Sequence, residues 1–131
     1  MSVAERDDEP EVRPLEWVGS ALADLKRLPR SVQRRMGHNL YLVQIDVKPL
    51  NAKPLSGFGG ASVLEIVEDH GGGTYRAVYT VRFREAVFVL HVFQKKSKRG
   101  ITTPKADVDL IKTRLKTAAE LYESLYRSEK P

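Results

Sequence analysis

Residues 63–99 read VLEIVEDHGGGTYRAVYTVRFREAVFVLHVFQKKSKR and contain three runs that are rich in β-branched and aromatic side chains. The runs are residues 63–67, 74–83 and 86–93. Turn-forming residues separate the first two runs, and the glycines among them permit the positive φ angles of a tight reversal. The dipeptide Arg84-Glu85 separates the second run from the third and suits a tight hairpin. The pattern therefore predicts a three-stranded antiparallel meander.

The middle run alternates in side-chain character, as a strand with two different faces does. Its first face carries Tyr75, Ala77, Tyr79, Val81 and Phe83, and its second face carries Arg76, Val78, Thr80 and Arg82. We expect the first face to pack in the core and the second face to present its two arginines. The third run is apolar on both faces, which predicts a central strand that is covered on part of each side.

Helical periodicity precedes and follows these strands. Apolar spacing predicts a short helix over residues 20–28 and a second helix over residues 31–45. The short connection between them favours an antiparallel helical hairpin. A third helix is expected with Thr103 as its cap and Pro104 in its first turn. Its predicted apolar stripe comprises Val108, Ile111, Leu115, Ala118, Tyr122 and Leu125.

Two shorter segments complete the predicted fold. Residues 15–18 are expected to form an edge strand beside the meander. Residues 48–62 contain two prolines and three glycines and are expected to form a loop. The sequence thus predicts an α+β protein in which an N-terminal helical hairpin packs on a small twisted antiparallel sheet, with a C-terminal helix.

The chain has 131 residues, a length typical of a single domain. Residues 1–13 are predicted to be a disordered acidic leader, residues 14–126 the folded domain, and residues 127–131 a polar tail. The absence of cysteine excludes disulfides, zinc–thiolate sites and cysteine nucleophiles. The sequence shows no membrane-spanning stretch and no signal-peptide pattern, so we expect a cytoplasmic protein with no membrane partner.

Charge is distributed unevenly along the chain. The sequence carries 22 lysines and arginines against 17 acidic residues, a net charge of +5. The leader holds five acids and two arginines, so it has a net charge of −3 and the remaining body has +8. A basic body favours a polyanionic partner such as nucleic acid, although many basic proteins bind none.

Cations dominate the chemistry that the predicted sheet offers. The three histidines are scattered, so no metal site is predicted, and no cofactor is expected. The cations of this region are Arg76, Arg82, Arg84, Lys95, Lys96, Lys98 and Arg99. Such a concentration can bind phosphates, and it can stabilise the phosphorane that forms when the 2′-hydroxyl of an RNA cleaves its own strand.

Each of these candidates also has an ordinary structural interpretation. The charged run 95–99 suits a solvated turn. Arg76 can pair with Glu65 or Glu68 across neighbouring strands. His91 lies in an apolar run, where a histidine is more often a hydrogen-bonded core residue than a general base. The residues alone leave these alternatives open.

Several short segments together resemble one group of toxins. They are KPLSG at 53–57, VLEI at 63–66, YRAVY at 75–79, LHVFQKK at 90–96 and TP at 103–104. Their order and spacing, over about residues 15–121, resemble HigB-like toxins of the RelE/ParE superfamily. The resemblance implies a RelE-like fold and a type II toxin–antitoxin system. It also implies cleavage of messenger RNA on the ribosome, and a cognate antitoxin, commonly a HigA-like helix-turn-helix protein, as partner.

The resemblance also implies roles for individual residues. Arg76 matches the phosphate-contacting arginine of the family, and Lys95 and Lys96 match the basic end of the last strand. His91 stands where the family pattern has a histidine. These four are the candidate catalytic residues. The expected RNA contacts are Lys53, Arg82, Arg84, Lys98 and Arg99.

The chain departs from the RelE pattern at two places. Glu65 stands on the first strand of the meander, where RelE-like enzymes carry lysines. A long C-terminal helix with Tyr122 and Tyr126 replaces the catalytic-tyrosine ending of RelE. These departures leave the proton-transfer groups open. Two other functions also stay open, which are a ParE-like inhibitor of DNA gyrase and an RNA-binding or interaction module without catalysis.

Overall fold

A computed structural model describes residues 9–95 and 102–127 of the chain. Its elements are β1 Leu15–Trp17, α1 Ala21–Lys26, α2 Arg30–Gln44, β2 Ala52–Pro54, β3 Val63–His70, β4 Gly73–Thr80, β5 Val87–Lys95 and α3 Lys105–Tyr122. A π-helical turn, Glu123–Arg127, continues α3. This content confirms the α+β class.

Five strands form one sheet in the order β1-β5-β4-β3-β2. The predicted meander is confirmed, because β3, β4 and β5 pair in sequence order and antiparallel. The edge strand expected at the start of the domain is also present as β1. It pairs with β5 in the parallel direction, so the sheet is mixed rather than antiparallel.

The prediction of a loop over residues 48–62 is wrong in part, because β2 lies within it. β2 forms the second edge of the sheet and pairs antiparallel with β3. Pro54 fits there because an edge strand leaves one side of its backbone unpaired.

The predicted tight hairpin between β4 and β5 is also wrong. β4 ends at Thr80, whose Oγ1 donates to the carbonyl of Ser62 at 2.7 Å and accepts from the N–H of Arg82 at 3.1 Å. The carbonyl of Ser62 also accepts the backbone N–H of Val81 at 2.9 Å, so the Thr80 side chain adds to the backbone bonding at the end of the strand. The chain then needs residues 81–86 to reach β5.

Both faces of the sheet are buried. The α1–α2 side packs its apolar side chains against Tyr75 and Tyr79 of β4. α3 covers the opposite face, where Ile111 and Ala118 pack against apolar residues of β3, β4 and β5. The expectation that this second face presents its arginines is therefore wrong for Arg76, which is only 4% exposed.

The start of α3 differs from the prediction. The helix begins at Lys105, and Pro104 occupies the N-cap position rather than the first turn. The hydroxyl of Thr103 does not cap the helix but donates to Oε2 of Glu65 at 2.9 Å. Thr103 thus ties the start of α3 to β3.

The π-helical turn changes which side chains pack at the end of α3. Leu125, predicted in the apolar stripe, is 54% exposed, whereas Tyr126 packs against the α3-side core. The extra residue in a π-helical turn rotates the following side chains, and so it moves the stripe from one position to the next. No helix within the two described ranges combines the length and hydrophobicity that a membrane span requires.

Candidate functional site

Strand register brings several of the predicted site residues to one place. Lys53 on β2 lies opposite Glu65 on β3, and Glu65 lies opposite a β4 residue that in turn faces His91 on β5. Arg76 is two residues away on β4, and Lys95 ends β5. These side chains share the α3 face, near the start of α3. Lys53, Arg76 and Lys95 are called the cation cluster below.

A buried carboxylate lies among these cations. Glu65 is fully buried and accepts a 2.5 Å hydrogen bond from Nη1 of Arg76. Its second oxygen accepts the hydroxyl of Thr103. Of the two carboxylates that the sequence left open as partners of Arg76, the structure thus selects Glu65. Nε of Arg76 is buried and has no hydrogen-bond partner among the described residues.

Lys95 lies close enough to Glu65 and Arg76 for their charges to change its pKa. The side chain is 6% exposed, and desolvation lowers the pKa of Lys95 from its usual value of 10.5. The positive charges of Arg76 and Lys53 lower this pKa further, while Glu65 opposes them. Three cations therefore surround one carboxylate, and an additional anion at this place would be stabilised.

A cavity of about 270 Å³ opens beside the cluster. Polar groups lining it belong to Lys53, Ser56, Glu65, Thr102 and Thr103, and apolar groups belong to Pro54, Leu55 and Val108. Lys53 and Thr102 are exposed, and the buried Glu65 lines the cavity, whereas Arg76 and Lys95 do not line it. Hydroxyls and an ammonium group at the rim are suitable donors to phosphate oxygens.

His91 lies next to the cluster and contacts α3. Its Nε2 is 2.7 Å from Oδ1 of Asp107, and its ring stacks on Phe93 with centroids 4.5 Å apart. Nδ1 of His91 is buried and has no hydrogen-bond partner among residues 9–95 and 102–127. His91 is therefore a buried histidine whose ring bonds through one of its two nitrogens to the part of the chain that the structure describes.

Arg82 and Arg84 lie elsewhere. They follow Thr80, the last residue of β4, and both are exposed. With Arg13 they line a groove of about 550 Å³, called the arginine groove below, which Glu11 also lines. Of the predicted RNA contacts, Lys53 thus belongs to the cation cluster, whereas Arg82 and Arg84 lie beyond the end of β4 and outside it. Lys96, Lys98 and Arg99 lie outside the described residues.

The two tyrosines of the C-terminal helix belong to the same end as the arginine groove. The hydroxyl of Tyr122 donates to Oε1 of Glu85 at 2.7 Å, and this bond raises the pKa of Tyr122. The hydroxyl of Tyr126 donates to Glu16 on β1. Burial and that bond raise the pKa of Tyr126 to about 12. Neither hydroxyl reaches the cation cluster.

Sequence reasoning missed two residues of this site. Thr103 was expected to cap α3, and Asp107 was not among the predicted site residues. The signal for Thr103 was present, because a hydroxyl next to Pro104 must find a partner when it is buried. No signal in the sequence pairs Asp107 with His91, since their contact depends on how α3 crosses the sheet.

Comparison with known proteins gives the chain a family. No curated protein matches it. The family model described as phage-derived protein Gp49-like (DUF891) matches residues 23–116. That range is more than half of the chain and includes the cation cluster, Glu65, His91 and Asp107. The chain therefore belongs to the phage-derived Gp49-like family, which is associated with toxins of toxin–antitoxin systems.

Proposed function

We propose that this protein is a HigB-like toxin with a RelE-like fold that cleaves messenger RNA on the ribosome and is neutralised by a cognate antitoxin. The observation that carries the proposal is the cation cluster, which the strand register collects beside a cavity with hydroxyls at its rim. Family membership supports the toxin class and an antitoxin partner. The reaction is attack of the RNA 2′-hydroxyl on the adjacent phosphorus, which needs positive charge around the phosphate.

Arg76 is the phosphate-contacting residue in this proposal. Glu65 fixes one side of its guanidinium, and Arg76 has five donor hydrogens, so the group can hold a carboxylate and a phosphate at the same time. Its burial makes the interaction strong, because water does not screen charges in a site of low dielectric. Glu65 is therefore expected to position Arg76 rather than to neutralise it.

Lys95 supplies the second charge. Desolvation and the positive charges of Arg76 and Lys53 lower the pKa of Lys95 more than the charge of Glu65 raises it. A phosphate that gains negative charge in the transition state interacts more strongly with this ammonium group than the phosphate of the bound RNA does. Lys95 is therefore expected to contribute more to the transition state than to the initial binding of RNA.

The exposed cations position the RNA. Lys53 at the rim of the cavity contacts the strand on one side of the cleaved phosphate, and Lys96, Lys98 and Arg99 directly follow Lys95 in sequence. Arg82 and Arg84 contact a more distant part of the RNA or of the ribosome. Contacts of this kind fix register and raise affinity without a role in the chemical step. The partner antitoxin is expected to be a helix-turn-helix protein, and the toxin is expected to act in the cytoplasm.

Cleavage on purified translating ribosomes tests the proposal. Primer extension should reveal cuts within the message, and the upstream fragments should end in a 2′,3′-cyclic phosphate. Lys95→Met should lower the rate by roughly 100-fold, as removal of a group that stabilises transition-state charge does. Lys116→Met is the matched control, because Lys116 is an exposed lysine of α3. Intact message with the wild-type protein, or equal rates for both variants, would contradict the proposal.

A further inference from the structure

A bulge in β5 determines which face His91 occupies. Val78 pairs with His91, but the next residue of β4, Tyr79, pairs with Val89, so Leu90 is the extra residue. In a regular strand without the bulge, His91 would share the face of Val89, two residues earlier, and would point to the α1–α2 side. The bulge instead places Leu90 and His91 on the α3 face. Bulges next to functional sites commonly re-aim a side chain in this way.

α3 holds both the bulge and the histidine. Nη1 of Arg114 donates to the carbonyl of Leu90 at 2.9 Å, which satisfies a backbone group of the extra residue. Asp107, two turns earlier on the same helix, is hydrogen-bonded to Nε2 of His91. Two independent contacts from one helix therefore maintain this orientation of His91.

The contact with Asp107 also selects a tautomer. An ionised carboxylate only accepts hydrogen bonds, so Nε2 of His91 carries the hydrogen and Nδ1 of the neutral ring keeps its lone pair. Nδ1 is the buried atom that has no partner among the described residues. An ordinary core histidine would satisfy both nitrogens, because an unpaired buried polar atom is unfavourable. The exception calls for a functional explanation.

His91 is also close to the cation cluster. Arg76 faces Phe93 across the strands, and His91 is two residues from Phe93. Diagonal neighbours of this kind are about 7–8 Å apart. An imidazole at that distance from the phosphate-contacting arginine is within reach of the sugar of the same nucleotide once the RNA is bound.

We infer that Asp107 is a positioning residue that keeps Nδ1 of His91 available as the proton acceptor for the RNA 2′-hydroxyl. This inference rests on the proposed function. As the 2′-oxygen attacks phosphorus, Nδ1 takes its proton, and the bond from phosphorus to the 5′-oxygen breaks. The leaving 5′-oxygen takes a proton from water, and His91 later returns its proton to water. Nδ1 is buried before RNA binds, so the side chains around it separate in the complex, as catalytic geometry often adjusts when substrate binds.

Two measurements on full-length Asp107→Asn protein test the inference. Imidazole ¹⁵N chemical shifts report which ring nitrogen carries the hydrogen, and wild-type His91 should show the Nε2–H form. The variant should lose that preference, since an amide can donate as well as accept. On ribosomes its kcat should fall roughly 100-fold, within the range for proton-transfer groups, while KM stays unchanged because Asp107 does not contact RNA. Asp107→Glu should restore part of kcat.

Asp109→Asn is the matched control. Asp109 is an exposed acid of the same helix and pairs with Lys105, so its replacement should change neither the spectrum nor kcat. An Nδ1–H tautomer in the wild-type protein, or an unchanged kcat in folded Asp107→Asn, would overturn the role of Asp107 and leave the proposed nuclease in place. Absence of cleavage by the wild-type protein would instead remove the nuclease, and the role of Asp107 with it.

Discussion

The cation cluster lies along the middle of β4, whereas the arginine groove lies beyond the last residue of β4, and the two regions differ in their environment. Arg76 and Lys95 in the cluster are almost fully buried, and the cluster encloses a carboxylate. Arg82 and Arg84 in the groove are exposed. Water and salt screen exposed charges, but they screen buried charges much less. The comparison shows that the location of a cation, more than the number of cations, decides whether it can stabilise a reacting phosphate.

The largest expected difference between the two regions is in stability. Arg76→Ala leaves Glu65 buried without its charged partner, which costs about 3–5 kcal/mol of the free energy of unfolding. Arg82→Ala removes an exposed side chain and should change that free energy by less than about 0.5 kcal/mol. Denaturant unfolding of both variants makes the comparison, with Arg76→Met/Glu65→Leu expected to recover most of the loss. Equal unfolding midpoints for the two alanine variants would contradict the expected difference in stability between the cation cluster and the arginine groove.

A smaller effect is expected from the arginine groove itself. The double variant Arg82→Ala/Arg84→Ala removes two exposed charges that contact RNA only through phosphates in our proposal. The slope of log K against log salt for single-stranded RNA should fall by about 0.7 for each lost phosphate contact. The rate of cleavage at saturating ribosome concentration should stay at the wild-type value. A lower cleavage rate in a folded double variant would show that the arginine groove, and not the cation cluster, contains the catalytic site.

The smallest expected effect concerns the tyrosines near the groove. The pKa of Tyr126 is raised to about 12, whereas a tyrosine in the unfolded chain titrates near 10. Between these values the unfolded chain loses the proton first. The stability that the neutral phenol contributes is therefore complete below pH 10 and is lost as the pH rises towards 12.

Tyr126→Phe should make the loss of stability between pH 10 and 12 less steep. Tyr79, whose pKa is also about 12, accounts for part of the remaining slope. Tyr41→Phe serves as the control, because Tyr41 is exposed on α2. Thermal unfolding across this pH range measures both variants. Identical slopes for Tyr126→Phe and the wild-type protein would show that the bond to Glu16 does not hold the phenol neutral.

Strand periodicity made most of the sheet predictable. Alternation along residues 74–80 and the apolar run from Val87 gave β4 and β5, and the glycines gave the reversal before β4. β2 was not predictable, because Pro54 and the neighbouring glycines indicate a loop and a strand of only three residues has too short a pattern to indicate otherwise. The parallel pairing of β1 was equally hidden, since a three-residue strand carries no signal for direction.

Prediction of the site was limited by contacts that are remote in sequence. The segment YRAVY at 75–79 and the basic end of the last strand identified Arg76 and Lys95, and register places both on the same face of the sheet as Lys53. The bulge at Leu90 has no signature in the sequence, and it decides the orientation of His91. Burial of Arg76 could not be inferred either. The sequence gives this face of β4 a polar pattern, and Arg76 is buried only because α3 covers the face.

The most direct test of whether the cation cluster is the catalytic site is brief induction of the protein in cells. The 5′ ends of messenger RNA are then mapped, and plasmid topology is analysed on a gel from the same cells. We expect cuts within translated regions for the wild-type protein and for Arg82→Ala/Arg84→Ala, and none for Lys95→Met. Intact messages together with gyrase-linked DNA breaks would contradict this account and make the cation cluster a binding surface of a gyrase inhibitor.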